Sequence, residues 1–193
     1  MDSLVWALNS KKQYDVTSGY VVAYDFAHEL INQLPAIIQN SRSWRKIWGL
    51  QLSTKIKIFL WRAVHESLPV LSLIYQCFQS TPPLCPRCRL SPKIIIHCLR
   101  CCGPTQEVWG AVDLKMVPSL QSVFPFVEWW THILLGAGSG REGDDALSIF
   151  TALCWALWNA CNKEVFENEK TPVQQISNSV RKIYQEMNRR QIF

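Results

Sequence analysis

The chain has 193 residues, of which 48% are hydrophobic and 18% are charged, and its net charge is +5. This composition excludes a disordered polar segment, and the length allows one sizeable core or two small ones. No uninterrupted apolar run reaches the roughly 18–20 residues of a membrane span, so we expect no membrane association. Met1-Asp2-Ser3 lacks the basic and apolar stretches of a signal peptide, which favours a protein that is not secreted.

The order of apolar and polar residues predicts a mainly α fold class. Two short strand-like stretches at the N-terminus predict a small β-hairpin over residues 3–16. Apolar residues at helical spacing then predict helices at 44–50, 53–68, 70–78, 94–102, 123–135 and 144–168, with a last one from Thr171-Pro172 onwards. The Gly-rich segment 136–143 is expected to be a flexible linker in front of this helical tail.

Positive charge is concentrated in the middle of the chain. Residues 30–106 contain ten Lys and Arg but one acidic residue, Glu66, whereas residues 1–29 and 107–193 each sum to −2. A basic segment of this kind attracts phosphate, which indicates contact with nucleic acid. The alternative is that the acidic ends fold back and neutralise the basic segment.

Eight cysteines are present, and five of them lie between residues 85 and 102. Without a secretion signal, reduced thiols that bind metal are favoured over disulfides, which indicates the cytoplasm or the nucleus. Cys85-Pro86-Arg87-Cys88 offers two thiolates from one turn, and His97 with the pair Cys101-Cys102 offers an imidazole and a further thiolate. Four such donors complete a tetrahedral zinc site with no position for water, so we expect a structural ion. The spacing H-x4-C is expected to fit on one helical turn.

Three catalytic alternatives to this interpretation each lack a feature that they require. A redox C-x-x-C pair needs a βαβ setting, which the predicted elements do not provide. A zinc deaminase needs an upstream H-x-E, whereas His28-Glu29 and His65-Glu66 are adjacent pairs. The Gly-rich segment lacks the Lys-Ser/Thr of a phosphate-binding loop. We therefore expect no catalysis.

Four aromatic residues, Trp44, Trp48, Phe59 and Trp61, lie among the basic residues. Such rings can stack on single-stranded bases. At helical spacing they are more often part of the core, and we favour the core.

Several segments in the right order resemble the zinc-binding domain that accompanies the reverse transcriptase of plant LINE-like (non-LTR) retroelements. The family's W-K-x-I-W and F-L-W-R-x-x-H-x-x-L-P patterns are similar to Trp44–Trp48 and to Phe59–Pro69. The remaining matching segments are Asp2–Trp6, Tyr14–Tyr20, Cys85–Cys88, His97, Glu107–Trp109 and Trp155–Phe166. The last of them resembles the segment in front of a ribonuclease H domain in longer members.

The resemblance implies a ligand set and a domain division. The family spacing is C-x2-C-x8-H-x4-C with a Trp seven residues after the last Cys, which implies Cys85, Cys88, His97 and Cys102 as zinc ligands. It implies a zinc-binding domain over residues 1–112, with its site at 85–102, and a helical tail over 113–193. The chain is expected to stop before a ribonuclease H domain, and no polymerase aspartates are discernible.

The function implied is a non-catalytic, retroelement-derived module that holds an RNA or RNA–DNA template without sequence preference, beside a reverse transcriptase domain. The residues predicted to contact phosphate are Lys55, Lys57, Arg62, Arg87, Arg89, Lys93 and Arg100. Two competing hypotheses are a protein-interaction scaffold and a remnant without a selected function.

The chain departs from the family pattern at several positions. Arg89 stands where a turn Gly is usual, which predicts strain if that position needs a positive φ. Cys101 is an extra thiol that competes for the metal, and Cys161 replaces the usual Arg. We expect loss of the metal to loosen residues 80–110 and to leave the tail helices formed.

Overall fold

The structure, a computed structural model, describes residues 41–78, 82–112 and 125–190. These ranges are mainly helical, as predicted, and contain no β-strand; the hairpin predicted at 3–16 lies outside them. No helix within them is both long and apolar enough to cross a membrane. The helices in chain order are α1 (Ser41–Gly49), α2 (Thr54–Val64), α3 (Leu71–Phe78), a π-helix (His97–Cys101), α4 (Gly103–Ala111), α5 (Phe126–Gly136), α6 (Arg141–Phe166) and α7 (Val173–Arg190).

The chain divides into two compact units, Met1–Ser43 and Trp44–Phe193, and the described residues belong almost entirely to the second. Within this second unit α6 is the central element, because α2, the π-helix and α7 all pack against it. Its buried side includes five residues of the apolar stripe that the sequence predicts for this helix: Leu147, Phe150, Cys154, Leu157 and Cys161. Burial of each large side chain stabilises the fold by about 2 kcal/mol, which explains why such a stripe forms a helix here.

Helix α2 separates a buried side from a basic, exposed side. Its buried residues are Ile56, Phe59, Leu60, Ala63 and Val64, and the helix packs against α5 and α6. The Phe59 ring lies 5.2 Å from the ring of Trp155 and 6.2 Å from that of Trp158. Phe59 is therefore part of the core, as expected.

The end of α2 is joined to the start of α5 by one side chain. Glu66 follows the helix with φ 49°, and its carboxylate accepts a hydrogen bond of 2.6 Å from the backbone N–H of Phe126. This N–H belongs to the first turn of α5 and has no partner inside that helix. Burial raises the pKa of Glu66, while its bonds to the N–H groups of Phe126 and Val127 act in the opposite direction. The contact links two segments that are distant in sequence.

The Gly-rich segment forms a tight turn rather than a long linker. Helix α6 begins at Arg141, so residues 137–140 connect it to α5 and residues 141–143 are already helical. Gly138 and Gly140 have φ of 73° and 86°, a conformation that glycine adopts at little cost. Gly143 is buried against this turn, and a Cβ there would lie 2.6 Å from the Ala137 carbonyl oxygen.

We expect Gly143→Ala to lower the free energy of unfolding by about 1–3 kcal/mol, because the added methyl group meets backbone that cannot move aside. Gly110→Ala is the matched control, since a Cβ at this position of α4 has nothing within 4 Å. That substitution should raise stability by about 0.5–1 kcal/mol, because alanine favours helix more than glycine. Urea denaturation of both variants measures the two effects, and equal stability would contradict the close approach.

Candidate metal centre

The C-x-x-C segment is at the tip of a short backbone hairpin. Leu84 and Pro92 form an isolated antiparallel bridge, and the N–H of Cys85 donates to the Ser91 carbonyl at 2.8 Å. The turn is closed by the Arg89 N–H, which donates to the Cys85 carbonyl at 2.8 Å. Cys85 and Cys88 are therefore held at the two ends of one turn, in the arrangement that lets two thiols approach one ion.

Arg89 closes this turn in the left-handed region, with φ 57°. The strain that the sequence predicted at this position is therefore present, since a side chain with a Cβ crowds the backbone at positive φ. Glycine would adopt the same conformation without that crowding.

Arg89→Gly is expected to raise the free energy of unfolding by about 0.5–1 kcal/mol, the strain relieved less the greater entropy of glycine in the unfolded chain. The control is Arg89→Ala, which also removes the charge but keeps the Cβ, and we expect no gain from it. Denaturation of the two variants, both loaded with zinc, separates backbone strain from loss of charge.

His97 and Cys102 are brought together by the π-helix and not by an α-helical turn. Residues five apart in an α-helix lie about 140° apart around its axis, so the spacing H-x4-C fits one helical turn only where that turn is wider than an α-helical one. Here the N–H of Cys102 donates to the His97 carbonyl at 2.9 Å, which is the i to i+5 bond of a wider turn. Cys102 then turns into extended backbone, with φ −62° and ψ 133°.

The four predicted donor atoms lie within 4.8 Å of one another. The Sγ atoms of Cys85 and Cys102 are 3.8 Å apart, and Cys88 Sγ lies 3.3 Å from Nε2 of His97. Two thiolates on one tetrahedral zinc ion are about 3.8 Å apart, and a thiolate and an imidazole nitrogen about 3.6 Å. The donor set therefore fits zinc in both composition and spacing. Cys101 is half-buried and is not one of this group.

Hydrogen bonds link the four groups and shift the pKa values of three of them. The pKa of Cys85 is lowered to about 3, chiefly by the hydrogen bond with Cys102 and less by those with His97 and the backbone N–H groups of Cys88 and Arg87, while burial acts in the opposite direction. The bond between Cys85 and Cys102 raises the pKa of Cys102, and the bond with Cys85 raises the pKa of His97. Zinc is bound by thiolates and neutral imidazole, so binding at this site releases the shared protons.

Two side chains of α4 bond to carbonyls of the π-helix. The indole N–H of Trp109 donates to the Leu99 carbonyl at 2.8 Å, and the Thr105 hydroxyl donates to the Cys98 carbonyl at 2.9 Å. Carbonyls at the end of a helix need such partners when they are buried. Trp109 is the tryptophan that the family pattern places seven residues after the last cysteine. This contact gives it a structural role at that position. Thr105 carried no signal in the sequence.

Arg87, in the middle of the C-x-x-C turn, points into the protein. Its Nε atom lies 3.1 Å from the Glu164 carboxylate of α6, and the two side chains are only 7% and 8% exposed. The guanidinium also donates to the Thr105 hydroxyl at 3.2 Å. The sequence analysis missed Glu164, although a signal existed: this acid continues the apolar stripe of α6 three residues after Cys161.

Some of the residues predicted to contact phosphate are exposed to solvent, and others are buried. Lys55, Arg62 and Arg89 are exposed, and Lys57 is partly exposed. Lys93 is 2% exposed and lies over the Trp158 ring at 5.6 Å, so it is a core residue like Arg87. Arg100 lies over the Trp129 ring at 5.3 Å. Three of the four basic residues between 87 and 100 thus contact α5 or α6.

Comparison with known proteins agrees with the donor set. Residues 24–109 match the family described as zinc-binding in reverse transcriptase. The chain is 23% identical over 174 residues to an Arabidopsis thaliana protein named "Putative ribonuclease H protein", with 88% of this chain covered. The chain spans about a quarter, 26%, of the length of that relative. No solved structure matches the chain.

The matched segment contains the C-x-x-C hairpin, the π-helix and all four donors, and it ends at Trp109. The resemblance inferred from the sequence is therefore confirmed, and so is zinc as the cofactor of the family. Over residues 24–109 the chain is similar to the zinc-binding domains of reverse transcriptase.

Proposed function

We propose that Cys85, Cys88, His97 and Cys102 hold a structural zinc ion in a non-catalytic module that binds RNA or an RNA–DNA hybrid through its phosphates. The observation that carries the structural role is the closed donor set. Three thiols and one imidazole, three of the four residues buried, satisfy tetrahedral zinc without water. A catalytic zinc ion needs an open position, so this arrangement supports a scaffold and no reaction at the metal.

The phosphate contacts are proposed to come from the exposed basic residues. Lys55 and Arg62 lie two turns apart on the exposed side of α2, and Lys57 is on the same helix. Arg89 is exposed at the tip of the metal hairpin. Arg87 and Lys93 have a different role in this proposal, since their burial ties the hairpin to α6 and leaves them no access to a ligand.

The comparisons support the proposal that the ligand is a nucleic acid. The matched family is described as zinc-binding in reverse transcriptase, and the relative is named as a ribonuclease H protein, so both names concern nucleic acid. A reverse transcriptase domain is accordingly the proposed protein partner, and the nucleus or the cytoplasm the proposed location. The division into a zinc-binding domain at 1–112 and a tail at 113–193 is part of the same proposal.

A salt series tests the function. We expect the zinc-loaded chain to bind an RNA–DNA hybrid with an affinity that falls steeply as salt rises, because each phosphate contact releases a counterion. The double variant Lys55→Gln, Arg62→Gln should bind more weakly and reduce the slope of log affinity against log salt by about 1.5–2. Arg181→Gln, Lys182→Gln removes the same charge from the exposed face of α7 and should have little effect. An affinity that is absent, or independent of salt, would remove the proposal.

A further inference from the structure

Four aromatic rings form a cluster on the surface of the second unit, two from α1, one from α2 and one from the residue that follows α2. We name this cluster the aromatic platform: Trp44, Trp48, Trp61 and His65. The ring centroids of Trp44 lie 5.6 Å from Trp48, 6.0 Å from Trp61 and 6.2 Å from His65. The Trp61 and His65 rings are 4.8 Å apart. The rings are held mostly edge to face, by one another and by the two helices.

The outer members of the platform are not core residues. Trp44 is 43% exposed and Trp48 is 37% exposed, so the expectation that both rings are buried was wrong. The reason is that α1 buries Ser43 and Ile47, and Trp44 and Trp48 lie about 100° further around the helix, on a side that solvent reaches. Exposed tryptophans that are already held in place lose little freedom when a flat ligand packs on them.

The charge around the platform is positive. Residues 41–65 contain six Lys and Arg and no acidic residue. Lys57 donates from Nζ to the Trp48 carbonyl at 2.8 Å, which places an ammonium group beside the platform. Arg62 is exposed and lies one residue after Trp61 and three before His65, so it is on the neighbouring surface of α2. Lys46 forms an ion pair with Asp144, whereas neither Lys57 nor Arg62 forms one with an acid among the residues that the structure describes.

Aromatic rings next to positive charge suit a ligand that is both flat and anionic. Duplexes hide their bases, whereas a single strand offers bases for stacking and phosphates for the basic residues. An apolar protein segment would suit the rings but would not use the charge. We infer that the aromatic platform stacks the bases of a single-stranded RNA or DNA segment, while Lys57 and Arg62 contact its phosphates. This inference rests on the proposed function and names the part of the template that is bound.

The test compares three probes on the zinc-loaded full chain: a single-stranded oligouridine, an abasic oligonucleotide of the same length, and an RNA–DNA hybrid. The first two carry the same number of phosphates, but only one has bases. We expect the chain to bind oligouridine about tenfold more tightly than the abasic strand, because stacking on aromatic side chains depends on the bases. This comparison needs no variant, so it does not depend on whether a substitution disturbs folding.

Variants then assign the stacking to the platform. Trp44→Ala, Trp48→Ala should reduce oligouridine affinity by about tenfold and change abasic binding little, while Trp44→Phe, Trp48→Phe should retain most of the preference. Phe166→Ala, which removes an exposed ring at the end of α6, is the control and should change neither.

The outcomes separate the inference from the proposed function. Salt-dependent binding of all three probes without preference for bases would overturn the platform and leave the proposed function standing. Lack of binding to any probe would remove both. Base-preferring binding that survives the alanine substitutions would overturn the assignment to these residues. Loss of binding to a reverse transcriptase domain in the alanine variant, with oligouridine binding intact, would assign the surface to a protein partner instead.

Discussion

Cys102→Ser is expected to abolish stoichiometric zinc binding and to remove most of the stability of residues 82–111. A structural zinc ion contributes on the order of 10 kcal/mol to the folding of such a site, and a hydroxyl does not replace the thiolate. Metal content of the purified protein measures the first effect, and hydrogen exchange of the backbone N–H groups measures the second. Chelation of zinc from the unmodified protein should reproduce both.

The control is the neighbouring residue. Cys101→Ser removes a thiol one position away that lies outside the group of four donors, so zinc content and exchange should stay unchanged. Loss of zinc in Cys101→Ser, with retention in Cys102→Ser, would contradict the ligand assignment. Loss in neither would show that this donor set does not bind the metal.

The structure extends this prediction beyond the metal hairpin. From the sequence, loss of metal was expected to loosen residues 80–110 and to leave the tail helices formed. The π-helix packs against α6, and Arg87 forms an ion pair with Glu164 there. We therefore expect faster exchange in the second half of α6 as well. The first half of that helix, near Phe150, is held by Trp129 and Trp130 of α5 and should change less.

The second large effect is expected from the buried ion pair itself. Arg87→Met should lower the free energy of unfolding by about 3–5 kcal/mol, because it leaves the Glu164 carboxylate buried without its partner. The substitution also removes the hydrogen bond from Arg87 to the Thr105 hydroxyl, and Thr105 supports the π-helix. Zinc affinity should fall as well, although no ligand has been changed. Denaturation and zinc titration measure these two effects.

A double variant distinguishes the pair from simple packing. Arg87→Met with Glu164→Leu removes both charges and keeps similar volume, so most of the lost stability should return. Lys163→Gln is the control. Lys163 is next to Glu164 in the sequence, but it forms an exposed ion pair with Glu169. This substitution should change the free energy of unfolding little, since exposed ion pairs contribute little to stability. If Arg87→Met were as mild as Lys163→Gln, the ion pair would not be structural.

The parts of this protein that could be read from the sequence are those that depend on local spacing. Apolar residues every three or four positions predicted α2, α6 and α7 within a few residues of their bounds, because a helix buries one side. The C-x-x-C pair was recognisable for the same reason, because a tight turn brings its two ends together whatever surrounds it. His97 was recognisable from its spacing to the cysteines. The choice of Cys102 over Cys101 came from the family resemblance and not from helix geometry, which would have favoured the residue four positions after His97.

Only the tertiary structure decided which charges and rings face solvent. Lys93 and Arg87 counted as surface charge in the sequence, yet each is buried because a partner on α6, Trp158 or Glu164, offsets the cost of its desolvation. Trp44 and Trp48 counted as core, yet they are exposed because α1 buries a different side. The π-helix that joins His97 to Cys102 packs against the distant α6, and Trp109 and Thr105 of the next helix supply its carbonyl partners. Sequence spacing determines which residues share a turn, but burial and pairing depend on residues far away along the chain, and no local pattern contains them.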